Sequence, residues 1–259
     1  MSMKIFIVGL LGAVLACQPG QDVDAPASGA REQNVETAGQ IQRAESPGDD
    51  GGSGTASTTA GKVTVLFFGT SLTAGFGLDP SQAFPNLISR TAASAGLPIT
   101  AINAGLSGET SAGALRRIDW TLRRPVDVVV LETGGNDALR ALNADSLEAN
   151  LSGIVSRIKA AQPNARILLA AMEAPPNLGA RYTARFRLAY VEVARRERLT
   201  LVPFLLDGVA GEAGLNQPDG VHPNVRGERI VAENVWRVLR PVIGSVLTDR
   251  SARRRSSSP

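Results

Sequence analysis

The sequence predicts an α/β domain on a parallel β-sheet. Three observations carry that prediction: short unbroken apolar runs that end in turn residues, helical segments of ten or more residues between them, and alternation of the two along residues 61–248. The run 63–68 (VTVLFF), with Gly69 after it, reads as a strand buried on both faces. Asp79-Pro80 offers an N-cap and a first-turn proline for a helix to about Ala95, before Gly96. Residues 98–103 (PITAIN) form a second strand, and a helix from about Thr110 stops before Pro125. The clearest strand is 126–132 (VDVVVLE), followed by a helix over 145–161 and a break at Pro163-Asn164. The fourth strand is 166–171 (RILLAA); a loop with Pro175-Pro176 leads into a helix over 181–197. Residues 199–206 read as a fifth strand, with Pro203 placing it at an edge. The last helix starts near Val225, with an interruption expected at Pro241.

The chain has 259 residues, 43% of them hydrophobic and 20% charged, which is enough apolar material for one core with extensions. One cysteine excludes an intrachain disulfide, and one histidine with one cysteine excludes the usual His/Cys zinc sites. The net charge of +3 is spread without a basic stripe through the body of the chain, so nucleic-acid binding is not expected. Lys4 followed by the uncharged run 5–16 (IFIVGLLGAVLA) reads as a secretory leader, too short to span a bilayer. Residues 18–60 are rich in Gly, Ser, Ala, Gln and acids and lack aromatics, the composition of a flexible tether. Residues 249–259 (DRSARRRSSSP) read as a disordered basic tail, either solvated or touching anionic lipid.

In parallel sheets function gathers beyond the C-terminal strand ends. Ser71 stands there in Gly69-Thr70-Ser71-Leu72-Thr73, a turn where a serine serves equally as a cap or as a nucleophile. His222 lies in Asp219-Gly220-Val221-His222-Pro223-Asn224, a stretch made into a turn by Pro218, Gly220 and Pro223. Asp219 three residues earlier can orient the imidazole toward Ser71, the relation a Ser–His–Asp unit requires. Gly105, without a side chain, can present its N–H closely, and Asn136 in Gly134-Gly135-Asn136-Asp137 carries an amide NH₂; with the Ser71 N–H these are candidate oxyanion donors. The plain alternative for 134–137 is an ordinary glycine-rich turn.

Together GTSLTAGFGL (69–78), NAGLSGET (103–110), GGND (134–137) and DGVHPN (219–224) resemble, in order and spacing, the four blocks of the SGNH, or GDSL-like, hydrolases. The likeness spans about residues 63–243. It is strongest to the thioesterase I / lysophospholipase L1 / arylesterase branch, since 172–186 (MEAPPNLGARYTARF) is similar to that branch's substrate loop. The resemblance implies a flavodoxin-like three-layer α/β/α sandwich with about five parallel strands. It also implies Ser71 as nucleophile, His222 as base, Asp219 as its orienter, and an oxyanion hole of the Ser71 and Gly105 N–H groups and the Asn136 side chain. No metal or cofactor is implied. Thr70 stands where the family usually has an acid, which puts local hydrogen bonding and rate in question.

The expected activity is hydrolysis of carboxylic esters or thioesters of acyl chains, lysophospholipids among them, through an acyl-serine intermediate. Leu106, Pro175 and Leu178 are the expected acyl contacts. Rival readings are a carbohydrate O-deacetylase of the same family and a non-catalytic binding lipoprotein on the same fold. Val14-Leu15-Ala16-Cys17 resembles a bacterial lipobox, implying cleavage before Cys17, lipidation of Cys17 and an exported, membrane-anchored protein with residues 17–60 as tether. Ordinary secretion is the alternative.

Overall fold

The computed structural model describes residues 61–256. The expected leader, Cys17 and the tether lie outside the described residues. All strand pairs are parallel, in the order β2-β1-β3-β4-β5. The strands are β1 (Val63–Gly69), β2 (Ile99–Gly105), β3 (Val128–Glu132), β4 (Arg166–Ala170) and β5 (Thr200–Val202). Seven helices accompany them among the described residues: α1 (Ser71–Ala74), α2 (Phe84–Ser94), α3 (Ser111–Thr121), α4 (Gly135–Leu139), α5 (Ala144–Ala161), α6 (Ala180–Glu197) and α7 (Val225–Ser256). Helices α3, α5 and α6 pack side by side, while α2 packs on α7. The expected three-layer α/β/α sandwich is therefore the fold.

The apolar runs explain the layering. Every residue of β3 is buried, as is all of β1 except Thr64, so both need cover on two faces. Phe67 of β1 meets Phe84 of α2 edge to face, with ring centroids 5.8 Å apart. Leu147, Leu151, Ile154 and Ile158 form the buried stripe of α5, each side chain contributing about 1.5–3 kcal/mol. Asn143 caps α5 by accepting from the N–H groups of Asp145 (2.6 Å) and Ser146 (3.3 Å).

Four expectations change. The helix foreseen from Pro80 is divided. Asp79 caps a 3₁₀ turn over Pro80–Gln82, Ala83 is extended, and α2 starts at Phe84. Pro85 has no N–H to continue a helix begun at Pro80, and the Phe84 N–H donates instead to the Glu228 carboxyl at 2.7 Å. Burial pushes that carboxyl up to about 8. Strand β5 lies at the sheet edge but ends at Val202, because Pro203 cannot donate to the ladder. The apolar residues after it turn inward as a loop, Leu205 donating to the Ala171 carbonyl at 2.9 Å. Helix α7 runs through Pro241 without interruption, its flanks held by buried Leu239, Ile243 and Val246.

The fourth change is at the C-terminus, where α7 extends to Ser256 in place of a disordered tail from 249. Arg250 pairs with Asp127 and donates to the carbonyls of Gly61 (3.1 Å) and Lys62 (3.2 Å), while Asp249 pairs with Arg166 at 2.9 Å. Polar anchoring orders a segment that has little apolar surface of its own.

Candidate active site

The site grows from the turn after β1. A Cβ on Gly69 would sit 2.1 Å from Thr73 Oγ1 and 2.5 Å from Glu132 Oε2, so only glycine lets the chain pass. Ser71 then opens the one-turn helix α1 and is 8% exposed. Beneath it lies Glu132, the fully buried last residue of β3. Its carboxylate accepts from the Thr70 N–H (2.7 Å), the Thr70 hydroxyl (3.0 Å) and the Thr73 hydroxyl (2.9 Å). Burial pushes Glu132 up and these donors oppose that rise. An acid at position 70 would set carboxylate against carboxylate. Threonine adds a hydroxyl donor there instead, which gives the departure from the family pattern a local physical sense.

His222 Nε2 stands 2.9 Å from Ser71 Oγ, and His222 Nδ1 stands 2.7 Å from Asp219 Oδ2. Asp219 Oδ1 also accepts from the N–H groups of Val221 (2.9 Å) and His222 (3.0 Å). The backbone and ring of His222, with the Val221 N–H, hold the Asp219 carboxyl down at about 2. Gln217 braces this loop: its amide donates to the carbonyls of Phe76 (2.6 Å) and Pro223 (3.0 Å), and its backbone N–H donates to the His222 carbonyl (2.7 Å). Phe76 lies beside the imidazole, ring centroids 4.7 Å apart. Sequence reasoning missed Gln217 and Glu132; for Glu132 the signal was an acid ending an otherwise apolar strand.

The Ser71 N–H, at the first helical position, has no intrahelical acceptor. The Asn136 amide donates one hydrogen to the Glu109 carbonyl at 3.0 Å and keeps a second. Gly105 departs from its expected role. Its N–H donates to Asn103 Oδ1 at 2.9 Å, and it does not line the cleft. Its glycine identity is a packing requirement, because a Cβ would fall 2.2 Å from the Ala74 nitrogen. Gly108, at φ +77°, lines the cleft with Ser71 and Asn136, and its N–H has no acceptor among the described residues. The Glu109 carboxylate binds Arg117 Nε at 2.8 and 2.9 Å, and Arg117 donates to the carbonyls of Gly69 and Ala104, both at 3.0 Å. One ion pair thus ties the ends of β1 and β2 to the turn that carries Gly108.

Residues 67–230 match the model of the GDSL-like lipase/acylhydrolase family. Esterase TesA of Pseudomonas aeruginosa is 39% identical over 186 residues, 71% of this chain and 91% of the relative. The chain belongs to the GDSL-like lipase/acylhydrolase family. The thioesterase 1/protease 1/lysophospholipase L1 of Escherichia coli K12 is 33% identical over 181 residues, 70% of this chain and 85% of that one. The crystal structure of the psychrotrophic esterase EstA from Pseudoalteromonas sp., inhibited by monoethylphosphonate, has a TM-score of 0.66 at 31% identity, covering 70% of this chain and 98% of that one. The chain is accordingly a serine ester hydrolase.

The hydrolase has a cleft of about 630 Å³ beside Ser71, lined by Phe76, Leu139, Met172, Pro175, Phe204 and Val221 among others. Pro175 stands where the sequence placed it. Leu106 and Leu178 do not line the cleft. Leu106 is half exposed, its N–H tied to the Gly69 carbonyl at 2.8 Å. Leu178 closes a 3₁₀ turn, Pro176–Leu178, whose three-residue period carries it off the face that Pro176 presents. Among the described residues no cluster of three or more His, Cys, Asp or Glu is arranged to hold a metal ion.

Proposed function

We propose that Ser71, His222 and Asp219 act as nucleophile, base and orienter in cleaving esters and thioesters of acyl chains. Ser71 Oγ attacks the acyl carbonyl while His222 Nε2 takes its proton, and His222 then passes that proton to the leaving alcohol or thiol. A water activated by His222 attacks acyl-Ser71 and frees the acid, returning the serine proton. The oxyanion lies among the N–H groups of Ser71 and Gly108 and the Asn136 amide, with Gly108 in the place first assigned to Gly105. The observation that carries this reading is the unbroken line from Asp219 through His222 to Ser71 opening onto an apolar cleft. The cleft's Phe, Leu, Met and Pro lining favours an acyl chain over a sugar ring. Relatives named esterase and thioesterase/lysophospholipase support aryl esters, acyl thioesters and lysophospholipids as the substrate class.

The test is a chain-length series of nitrophenyl esters. Each CH₂ that the cleft covers should raise kcat/KM roughly fourfold, from about 0.8 kcal/mol per buried methylene, until the cleft is filled. A phosphonate ester should titrate one site per chain, at Ser71. Absence of turnover by folded protein, or reaction of the phosphonate elsewhere, overturns the assignment.

The sequence Val14-Leu15-Ala16-Cys17 supports export and anchoring through a lipidated Cys17. Expressed in a bacterial host, the wild type should partition into detergent and carry acyl mass on Cys17, and Cys17→Ser should lose both. A soluble wild type with an unmodified thiol refutes the anchor.

A further inference from the structure

The two ends of the sheet carry opposite charge. Because all strands are parallel, the segments that precede them share one end: 61–62, 95–98, 122–127, 162–165 and 198–199. Their charged residues are Lys62, Arg123, Arg124 and Arg198, with the single acid Asp127. Helix α7 finishes at this end too, because Arg250 reaches Gly61, Lys62 and Asp127, and it adds Arg253, Arg254 and Arg255. Asp127 and Asp249 are both taken up in ion pairs, with Arg250 and Arg166. Lys62, Arg123 and Arg124 have no carboxylate partner among the described residues. The segments that leave the strands are the reverse. They carry Asp79, Glu109, Asp137, Glu173, Asp207, Glu212 and Asp219, and one cation, Arg140; Glu109 and Glu173 are taken up in ion pairs with Arg117 and Arg187, which leaves five acids against one cation. The active site lies at this acidic end.

Trp120 adds a second feature to the basic end. It stands in the last turn of α3, just before Arg123 and Arg124, and is 67% exposed. An exposed indole beside Arg123 and Arg124 matches the headgroup zone of a bilayer, where amphipathic rings and cations both settle.

We infer that the strand-start end of the domain, centred on Arg123, Arg124, Trp120 and Arg253–Arg255, docks on an anionic phospholipid surface and turns the catalytic cleft away from it. The acidic pole is repelled by the same surface, so the charge separation orients the domain as well as binding it. Substrate then reaches Ser71 from the aqueous side. Helices also end at this pole, and cations there complement helix dipoles; that role is met within the domain and predicts no affinity for lipid. The inference needs neither lipidation of Cys17 nor the assignment of the triad.

The experiment uses the full chain carrying Cys17→Ser, so that an acyl anchor contributes nothing, with vesicles of phosphatidylcholine alone or doped with phosphatidylglycerol. Binding should require phosphatidylglycerol and fall steeply as salt shortens the screening length. In a Trp236→Phe background, Trp120 emission should shift to the blue on binding. Replacing Arg123, Arg124, Arg253, Arg254 and Arg255 by Ala should weaken binding at least about a hundredfold, since each basic residue near the surface is worth roughly fivefold. Turnover of a soluble nitrophenyl ester should stay within about twofold of its starting value, the cleft lying at the other end of the sheet. Circular dichroism reports the fold whether or not the ester is cleaved, and the smaller Arg123→Glu/Arg124→Glu variant serves if the five-site variant does not fold. Equal binding to neutral vesicles, full binding by the arginine variants, an unmoved Trp120 emission, or DNA bound as tightly as the vesicles would each overturn the docking surface.

Discussion

His222→Ala is expected to lower kcat by about 10⁴ or more, since members of a triad act as a unit while the oxyanion donors alone keep a residual rate. His222 is the only histidine in the chain, so no second imidazole can take over the proton. Its Nε2 lies 2.9 Å from Ser71 Oγ, within direct transfer distance. The role of Asp219 follows from the same geometry. Asp219 stays ionised down to about pH 2, so its carboxylate holds the imidazole throughout the range above that. Only a ring with Nε2 unprotonated can accept from Ser71 Oγ, so this nitrogen must act as the acceptor in the attack. A histidine-directed acylating reagent should inactivate in a single exponential, with protection by an acyl-site inhibitor. Folded His222→Ala protein that keeps more than a tenth of wild-type esterase activity contradicts this mechanism.

The parts of the fold that could be read from sequence are those whose burial is local. The run VTVLFF becomes β1 because a continuous apolar strand has one stable setting, between two helical layers. Residues 203–206 look like the same thing and are not: Leu205 and Leu206 are buried as a loop, and apolar content alone does not separate a buried loop from a strand. The C-terminal turns were illegible for another reason. What orders Asp249 and Arg250 is contact with Arg166 and Asp127, far away along the chain. In the site, Ser71, Asp219 and His222 were legible because residue type and spacing both constrain them. That Gly108, and not Gly105 as expected, faces the cleft was not. Either glycine permits a close approach, and only the three-dimensional turn shows which N–H is already spent on Asn103 and which faces the cleft.

Asn136→Ala is expected to reduce kcat by about 10²–10³ with KM little changed, because its free amide hydrogen meets charge that develops only as the carbonyl becomes tetrahedral. Gly134 caps the helix α4 that carries it, and its φ of +107° turns the chain sharply out of β3. A Cβ on Gly134 would lie 2.1 Å from the Tyr190 hydroxyl oxygen, so the turn is fixed by packing as well as by backbone freedom. Asn136 also holds the Glu109 carbonyl, one residue after Gly108. Its loss therefore removes one donor and loosens the turn that presents another, which places the expected effect toward the upper part of the range. The Glu109–Arg117 ion pair still ties that turn to Gly69 and Ala104, so the nucleophile should stay in place and the phosphonate should still label Ser71, only more slowly. Equal proportional losses in kcat and kcat/KM mark an interaction made in the transition state. An unchanged kcat would return Asn136 to the role of a turn residue and leave the backbone N–H groups of Ser71 and Gly108 as the whole oxyanion hole.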